Sequence, residues 1–151
     1  MMFMERTLVL IKPDGVERNL IGEIIKRFEE NGLKVANLRM VIPSREFVQA
    51  HYAVHKDKPF FNVLVDYLAE KRVVAIVLEG EDAVSRVRKI VGATDPSKAE
   101  KGTIRGDLGN DSKEKADAER RSIYNLVHAS GTREEAEEEI KLWFEESEIL
   151  E

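Results

Sequence analysis

Thr7–Ile11 is a short β-rich run that ends at Lys12-Pro13-Asp14-Gly15. Proline presets φ there and glycine admits positive φ, so a turn is predicted. The period then changes. Ile21, Ile24, Ile25 and Phe28 recur at i, i+3, i+4 and i+7, the stripe of an amphipathic helix. Asn31-Gly32 stops it, with glycine available for the left-handed position past the helix end. Leu33–Ile42 reads as a strand in which Ala36, Leu38, Met40 and Ile42 alternate to one side. Pro43 breaks it, and Ser44 can cap a helix reaching about Val54. After the polar link Lys56–Pro59, a second helix carries Phe61, Leu64, Val65 and Leu68 on one stripe.

Val73–Leu78 is apolar without interruption, the signature of a central strand covered on both faces. Glu79-Gly80 turns the chain into a helix with Val84, Val87 and Val91 inward, closed by Gly92. From Gly92 to about Arg121 no strong period appears, beyond a short helix within Asn110–Arg121. Ile123–His128 reads as a strand. Thr132-Arg133-Glu134-Glu135 is a capping box opening a last helix that buries Ala136, Ile140 and Trp143. The order is β-α-β-α-α-β-α-loop-β-α. The economical packing is one four-stranded sheet with helices on one side, an α+β sandwich forming a single domain over 1–151. The Gly92–Arg121 stretch stands out, because connections are ordinarily ~4–6 residues and long ones are functional or disordered.

Composition narrows the chemistry. The 151 residues contain no cysteine, which removes thiol nucleophiles, disulfides, iron–sulfur clusters and Cys-type zinc sites together. Reactivity must come from histidine, carboxylates, amines and hydroxyls. Lys and Arg number 24 against 29 Asp and Glu, so no strongly basic face for duplex DNA is forced. Charged residues make up 35% of the chain, above the ~25% of average globular domains. Dense mixed charge without cysteine suits a soluble, cytoplasmic protein and a hot-adapted one. No run approaches the ~20 apolar residues of a membrane span, and Met1–Met4 is far too short for the core of an export signal.

Several motifs fail. There is no G-x-x-x-x-G-K-[ST] loop, no G-x-G-x-x-G after a strand and no G-x-S-x-G elbow. His51 and His55 are spaced i, i+4 for chelation, but Tyr52 stands where the zincin pattern needs Glu, so they read as surface or packing residues. His128 is a better candidate. It ends a predicted strand beside a helix start, a seat for anions, and neutral imidazole is a nucleophile or base near pH 7. Taken alone, it is more simply a hydrogen-bonded histidine at a strand end. Lys12, Arg88 and Arg105 suit a polyanion, although each alone reads as a solvated surface charge. Of Phe60 and Phe61, one fits the core stripe and the other stays outside as a stacking plate for a base. The residues by themselves describe a phosphate-handling α+β domain with a candidate nucleophilic histidine.

Five blocks carry a further identification: Thr7–Val16, His51–Phe61, Gly92–Pro96, Gly102–Asp107 and Asn125–Ser130. In this order, and over about Glu5–Phe144, the chain resembles the nucleoside diphosphate kinase family. The resemblance implies a ferredoxin-like β-α-β-β-α-β sandwich with a four-stranded antiparallel sheet and additional helices. It implies transfer of the γ-phosphate of a nucleoside triphosphate to a nucleoside diphosphate by a ping-pong route through a phosphohistidine. The family's Asn-x-x-His places that histidine at His128, oriented by Glu139 with Ser130 in support. Lys12, Tyr52, Arg88, Thr94, Arg105 and Asn125 match positions that hold phosphates, ribose or the reacting centre, and Phe60 matches the ring that stacks on the base. Mg2+ is implied on the nucleotide phosphates, with no direct protein ligand. A homo-oligomer, hexamer or tetramer, is implied, with no membrane and no nucleic acid required.

The chain also departs from its relatives. Asn110–Arg121 makes it about ten residues longer than most of them, and this charged segment is expected to be an exposed excursion. Ser122 replaces the small apolar residue across the base from Phe60. Gly131 replaces an Asp that supports Mg2+ through water, and the chain stops soon after Trp143, where many relatives have a tail that helps subunits pack. Two other readings remain, a ferredoxin-like nucleotide- or nucleic-acid-binding module whose chemistry is lost and an aspartyl or seryl phosphotransferase. Lys12, Arg88, Arg105, Asn125 and His128, all in place, argue against the first.

Overall fold

A computed structural model describes residues 4–148. Strands β1 (Met4–Ile11), β2 (Lys34–Val41), β3 (Val73–Glu81) and β4 (Val127–Ala129) form one antiparallel sheet in the order β2-β3-β1-β4. The two central strands are apolar on both faces, so both must be covered. Leu8 and Leu10 point into one core and Val9 and Ile11 into the other, all fully buried. The expectation of helices on one side is therefore corrected. Helices α2 (Ile21–Glu30) and α5 (Ala83–Val91) contribute Ile24, Phe28, Val87 and Val91 to one face. The opposite face is closed by α3 (Arg45–His51), α4 (Phe61–Leu68) and α8 (Arg133–Trp143), through Val48, Val65, Leu68 and Trp143.

Three local differences have physical causes. The Lys12–Gly15 turn is the start of a five-residue helix, α1 (Pro13–Glu17), because proline at the first helical position supplies the right φ and needs no N–H partner. In β2 a bulge between Val35 and Asn37 moves Ala36 to one core and Leu38 and Met40 to the other face. Leu38 and Met40 are 46% and 49% exposed, and Ile42 64%, so the expected one-sided stripe does not form. β4 is three residues long rather than the six expected. Ahead of it Tyr124 N–H donates to Asp111 and Leu126 N–H to Asp14, so these amides serve side chains instead of a ladder.

The stretch after Gly92 is ordered by caps rather than by a long apolar period. Asp95 and Thr103 cap the short helices Pro96–Lys98 and α6 (Ile104–Leu108). Within the segment 110–121, Ser112 caps α7 (Lys113–Ala118). Most of its side chains face solvent, but Ala116 is fully buried and Asp111 is 6% exposed. Asp111 accepts Arg121 Nη1 at 2.7 Å and Tyr124 N–H at 2.8 Å. The Arg121 contact, ahead of the backbone N–H groups of Tyr124 and Ser112, holds its carboxyl down at about 2. The segment is thus pinned at both ends.

Candidate functional site

The register of β1 with β4 sets His128 opposite Leu10, on the face that α8 covers. α8 is capped by Thr132, whose hydroxyl accepts the Glu135 N–H, while Glu135 accepts the N–H of Gly131. That start fixes where the rest of the helix falls. Glu139 Oε1 lies 2.9 Å from His128 Nε2 and accepts the Ser130 hydroxyl at 2.6 Å. Burial alone would raise the Glu139 pKa. The hydrogen bond and charge of His128, with Ser130, outweigh that and hold the carboxyl below its usual value. An ionised carboxylate at Nε2 keeps the ring proton there. The lone pair is left on Nδ1, which has no protein partner among the described residues.

Lys12, Arg88, Thr94, Arg105, Asn125 and His128 border one cleft of about 210 Å3. Lys12 follows β1 directly and is 8% exposed, and its Nζ donates to Asn125 Oδ1 at 2.9 Å. Burial first, and the charge of Arg105 second, lower its pKa to about 8. Asn125 in turn donates Nδ2–H to the Thr94 carbonyl at 3.1 Å, tying β4 to the loop after α5. Arg105 is the keystone. Its Nε, Nη1 and Nη2 donate to the carbonyls of Asn125, Gly92 and Val127 at 3.0, 3.1 and 2.6 Å. Burial, then Arg88, lower its pKa to about 10. A side chain on Gly106, next to it, would meet the Glu100 carbonyl at 1.9 Å, so only glycine lets α6 sit close enough to aim Arg105 inward.

Two of the three cations are therefore buried rather than solvated, and Arg88 alone is exposed, reaching the Ala129 carbonyl at 3.4 Å. Tyr52 and Phe60 do not border this cleft. A run of rings leads to them instead: His128 to His51 at 4.8 Å, His51 to Tyr52 at 4.7 Å, Tyr52 to His55 at 6.5 Å and His55 to Phe60 at 5.4 Å between centroids. Phe60 is 45% exposed with Lys58 Nζ over its face, whereas Phe61 packs on the core. Ser122 donates to the Val63 carbonyl and borders a separate hollow of about 460 Å3 with Tyr67 and Tyr124, away from His128.

Sequence reasoning missed three residues here. His51 and His55 drew attention only as an i, i+4 pair, yet they flank Tyr52 in the run of rings. His51 joins His128 and Glu139, their ligand atoms within 4.8 Å of one another. Asp14 looked like a turn residue. Its carboxylate accepts both the Tyr67 hydroxyl and the Leu126 N–H, at 3.1 Å, and so holds the backbone just before β4. Leu126 has φ +72 and its flanking residues close a γ-turn, Val127 N–H to Asn125 carbonyl at 2.8 Å. No spacing rule announces such a contact between residues 112 apart.

An imidazole with one nitrogen tied to a carboxylate and the other free, on a residue that borders a cationic cleft, defines an α+β protein built to handle phosphoryl groups. The comparisons make the class specific. The family model for nucleoside diphosphate kinase matches residues 5–149. Nucleoside diphosphate kinase of Pyrococcus furiosus is 52% identical over 147 residues, 97% of this chain and 87% of that protein. That of Synechococcus elongatus is 49% identical over 146 residues, 97% and 91%. The Borrelia burgdorferi nucleoside diphosphate kinase, solved as a transition-state mimic with vanadate and ADP, superposes with a TM-score of 0.94 at 37% identity, covering 98% of this chain and 91% of that one. A halophilic nucleoside diphosphate kinase from Halobacterium salinarum, in complex with CDP, gives 0.87 at 42%, covering 99% and 93%. The chain belongs to the nucleoside diphosphate kinase family, with its ferredoxin-like fold.

Proposed function

We propose that His128 Nδ1 carries the phosphoryl group between nucleotides. The observation supporting this most strongly is the Nε2–Glu139 hydrogen bond, which leaves Nδ1 as the basic nitrogen of a histidine that borders the cationic cleft. In the first half-reaction the Nδ1 lone pair attacks the γ-phosphorus of a nucleoside triphosphate. The bond from that phosphorus to the bridging oxygen breaks, and its electrons leave with the nucleoside diphosphate. In the second half a β-phosphate oxygen of another diphosphate attacks the phosphorus, the N–P bond breaks and the imidazole is restored. Splitting the transfer this way gives ping-pong kinetics.

Each side chain has a task in this reading. Glu139 holds the tautomer and offsets the positive charge that develops on the ring, and Ser130 fixes the carboxylate. Lys12, Arg88 and Arg105 screen the negative charge spreading over the transferred group. Asn125 keeps Lys12 in place, and Thr94 and Tyr52 contribute hydroxyls to the nucleotide. The exposed Phe60 ring stacks on the base, with weak discrimination because every base has a π-face. The named cleft residues include no carboxylate, which suits a divalent cation, Mg2+, arriving on the polyphosphate and adding charge neutralisation there.

Incubation with γ-labelled ATP tests the reading. Acid-labile, base-stable label on the wild type and none on His128→Ala is the expected pair of results. Equal labelling of both proteins, or label that is lost in base, as from an acyl phosphate or a seryl phosphoester, would remove His128 from the mechanism.

Lys12 offers a pH test. With its pKa at about 8 in the free protein, the amine is partly neutral at about pH 8.5. A bound polyphosphate stabilises the charged form and pulls the pKa back up. Binding ADP at about pH 8.5 should therefore take up a substantial fraction of one proton, and this uptake should vanish as pH falls toward about 6.5. Calorimetry in buffers of different ionisation enthalpy reads it directly. The same heat in every buffer at the higher pH would contradict it.

Self-association belongs to this reading. β2 is an edge strand with Leu38 and Met40 exposed along it and Ile42 just past its end, the kind of border a second copy covers in a hexamer or tetramer. No helix of the described residues is long and apolar enough to cross a membrane, and the absence of cysteine supports a cytoplasmic setting. The segment 110–121 plays no chemical part. Excising residues 113–119 while keeping Asp111 and Arg121 is expected to leave turnover largely intact, and a collapse in turnover would place the segment in the site or in a subunit contact.

A further inference from the structure

Among the described residues, His51 is the titratable side chain packed on the nucleophile's ring that the transfer, as derived above, leaves unused. It is 9% exposed, on the last turn of α3, and its ring lies edge-to-face with His128 at 80°. Trp143 Nε1–H donates to its Nδ1 at 3.0 Å. An indole nitrogen can only donate, so Nδ1 must accept and the neutral ring carries its proton on Nε2. That Nε2–H is buried with no hydrogen-bond partner among the described residues. A buried orphan donor is costly, and such groups persist where they have a functional reason. The arrangement also argues against a metal held by His51, His128 and Glu139. Nδ1 is occupied, and Nε2 offers no lone pair while Trp143 is in place.

We propose that His51 is a positioning residue for the phosphoryl transfer. Locked by Trp143, its uncharged ring packs edge-to-face with the His128 ring and keeps that ring and Glu139 in their productive pairing. This rests on His128 being the phosphoryl carrier. Glu139 and Trp143 lie four residues apart on α8, so one helix face delivers a carboxylate to His128 and an indole to His51 together. Neutrality is part of the role. A charged His51 would draw on the same carboxylate and oppose the positive charge that develops on His128. Burial first, and the neighbouring His128 charge second, lower the His51 pKa to about 3, so the ring stays neutral throughout the working range.

Two variants of the full chain separate positioning from packing. Trp143→Phe keeps an aromatic ring on α8 but removes the lock on the His51 tautomer. His51→Gln places an amide nitrogen near Nε2 and loses the acceptor for Trp143. In each, nitrogen-15 spectra of the histidines read the His128 tautomer, single-turnover mixing with ATP·Mg2+ reads phosphoenzyme formation, and titration reads ADP affinity. The expected result is a mixed tautomer at His51 in Trp143→Phe and, in both variants, displaced His128 nitrogen shifts and phosphoenzyme formation slowed about tenfold, the scale on which partners of ligating histidines act. ADP affinity should stay within about twofold, because His51 is not among the residues bordering the cationic cleft. Unchanged His128 shifts and an unchanged rate in both variants would overturn the proposal. So would equal losses of rate and affinity, which mark a general loss of structure. Failure of the wild type to label at His128 would instead defeat the underlying assignment, while the tautomer spectra would still judge His51.

Discussion

His128→Ala should lose roughly four or more orders of magnitude in turnover, since removing a covalent nucleophile costs on that scale in other transfer enzymes. The loss should fall on both half-reactions, because the same nitrogen accepts and returns the phosphoryl group. ADP binding should survive, because Lys12, Arg88, Thr94, Arg105 and Asn125 hold the phosphate cleft without the imidazole. The fold should survive as well: His128 is the middle residue of β4 with a side chain 20% exposed, and its main loss is the hydrogen bond to Glu139. Steady-state kinetics with an ADP titration checks the pair of outcomes. Substantial residual turnover with a ping-pong pattern would mean that another group carries the phosphate.

Arg105→Met should do the opposite, damaging the fold and the site together. Methionine keeps the aliphatic stem but leaves the carbonyls of Asn125, Gly92 and Val127 without a buried donor. Stranding several buried acceptors of a charged donor costs about 3 kcal/mol or more, after allowing for non-additivity. In a domain of this size that corresponds to a fall of roughly 6–12 °C in Tm. The same change removes one of the three cations and loosens the γ-turn that leads into β4, so phosphoenzyme formation should drop with nucleotide affinity. Arg105→Lys should recover charge without recovering the three-carbonyl fork, which separates electrostatic screening from scaffolding. A melting temperature unchanged in Arg105→Met would show that the carbonyls find other donors and that Arg105 holds nothing.

Much of the architecture was legible because it rests on local periodicity. The unbroken run Val73–Leu78 required cover on both faces, and it is a central strand with a core on each side. The stripes Ile21–Phe28 and Val84–Val91 and the caps at Ser44 and Thr132 reappear as helices with those residues inward. What failed was non-local. The β2 bulge turns on pairing with β3, which no alternation within β2 reveals. The shortness of β4 follows from side-chain acceptors at Asp14 and Asp111, distant in sequence or hidden in a charged segment.

The chemistry divides in the same way. Residue type and position singled out His128 and the cations as candidates, and the family resemblance added Asn125, but neither gave their burial. Lys12 and Arg105 looked solvated in a chain so rich in charge, and they are buried because each finds amide or carbonyl partners around Asn125. His51 shows the limit most clearly. Its partner Trp143 is 92 residues away, and only the packing of α8 over α3 brings the indole to its ring.

The claim on which the mechanism turns is that Nδ1 of His128, and not Nε2, bonds to phosphorus. Nitrogen-15 labelling of the histidines, phosphorylation with ATP·Mg2+ and measurement of nitrogen–phosphorus coupling decides it on the intact protein. The account predicts coupling at His128 Nδ1 alone, with Nε2 still protonated against Glu139. Coupling at Nε2, or at no histidine while the protein carries phosphate, would contradict it.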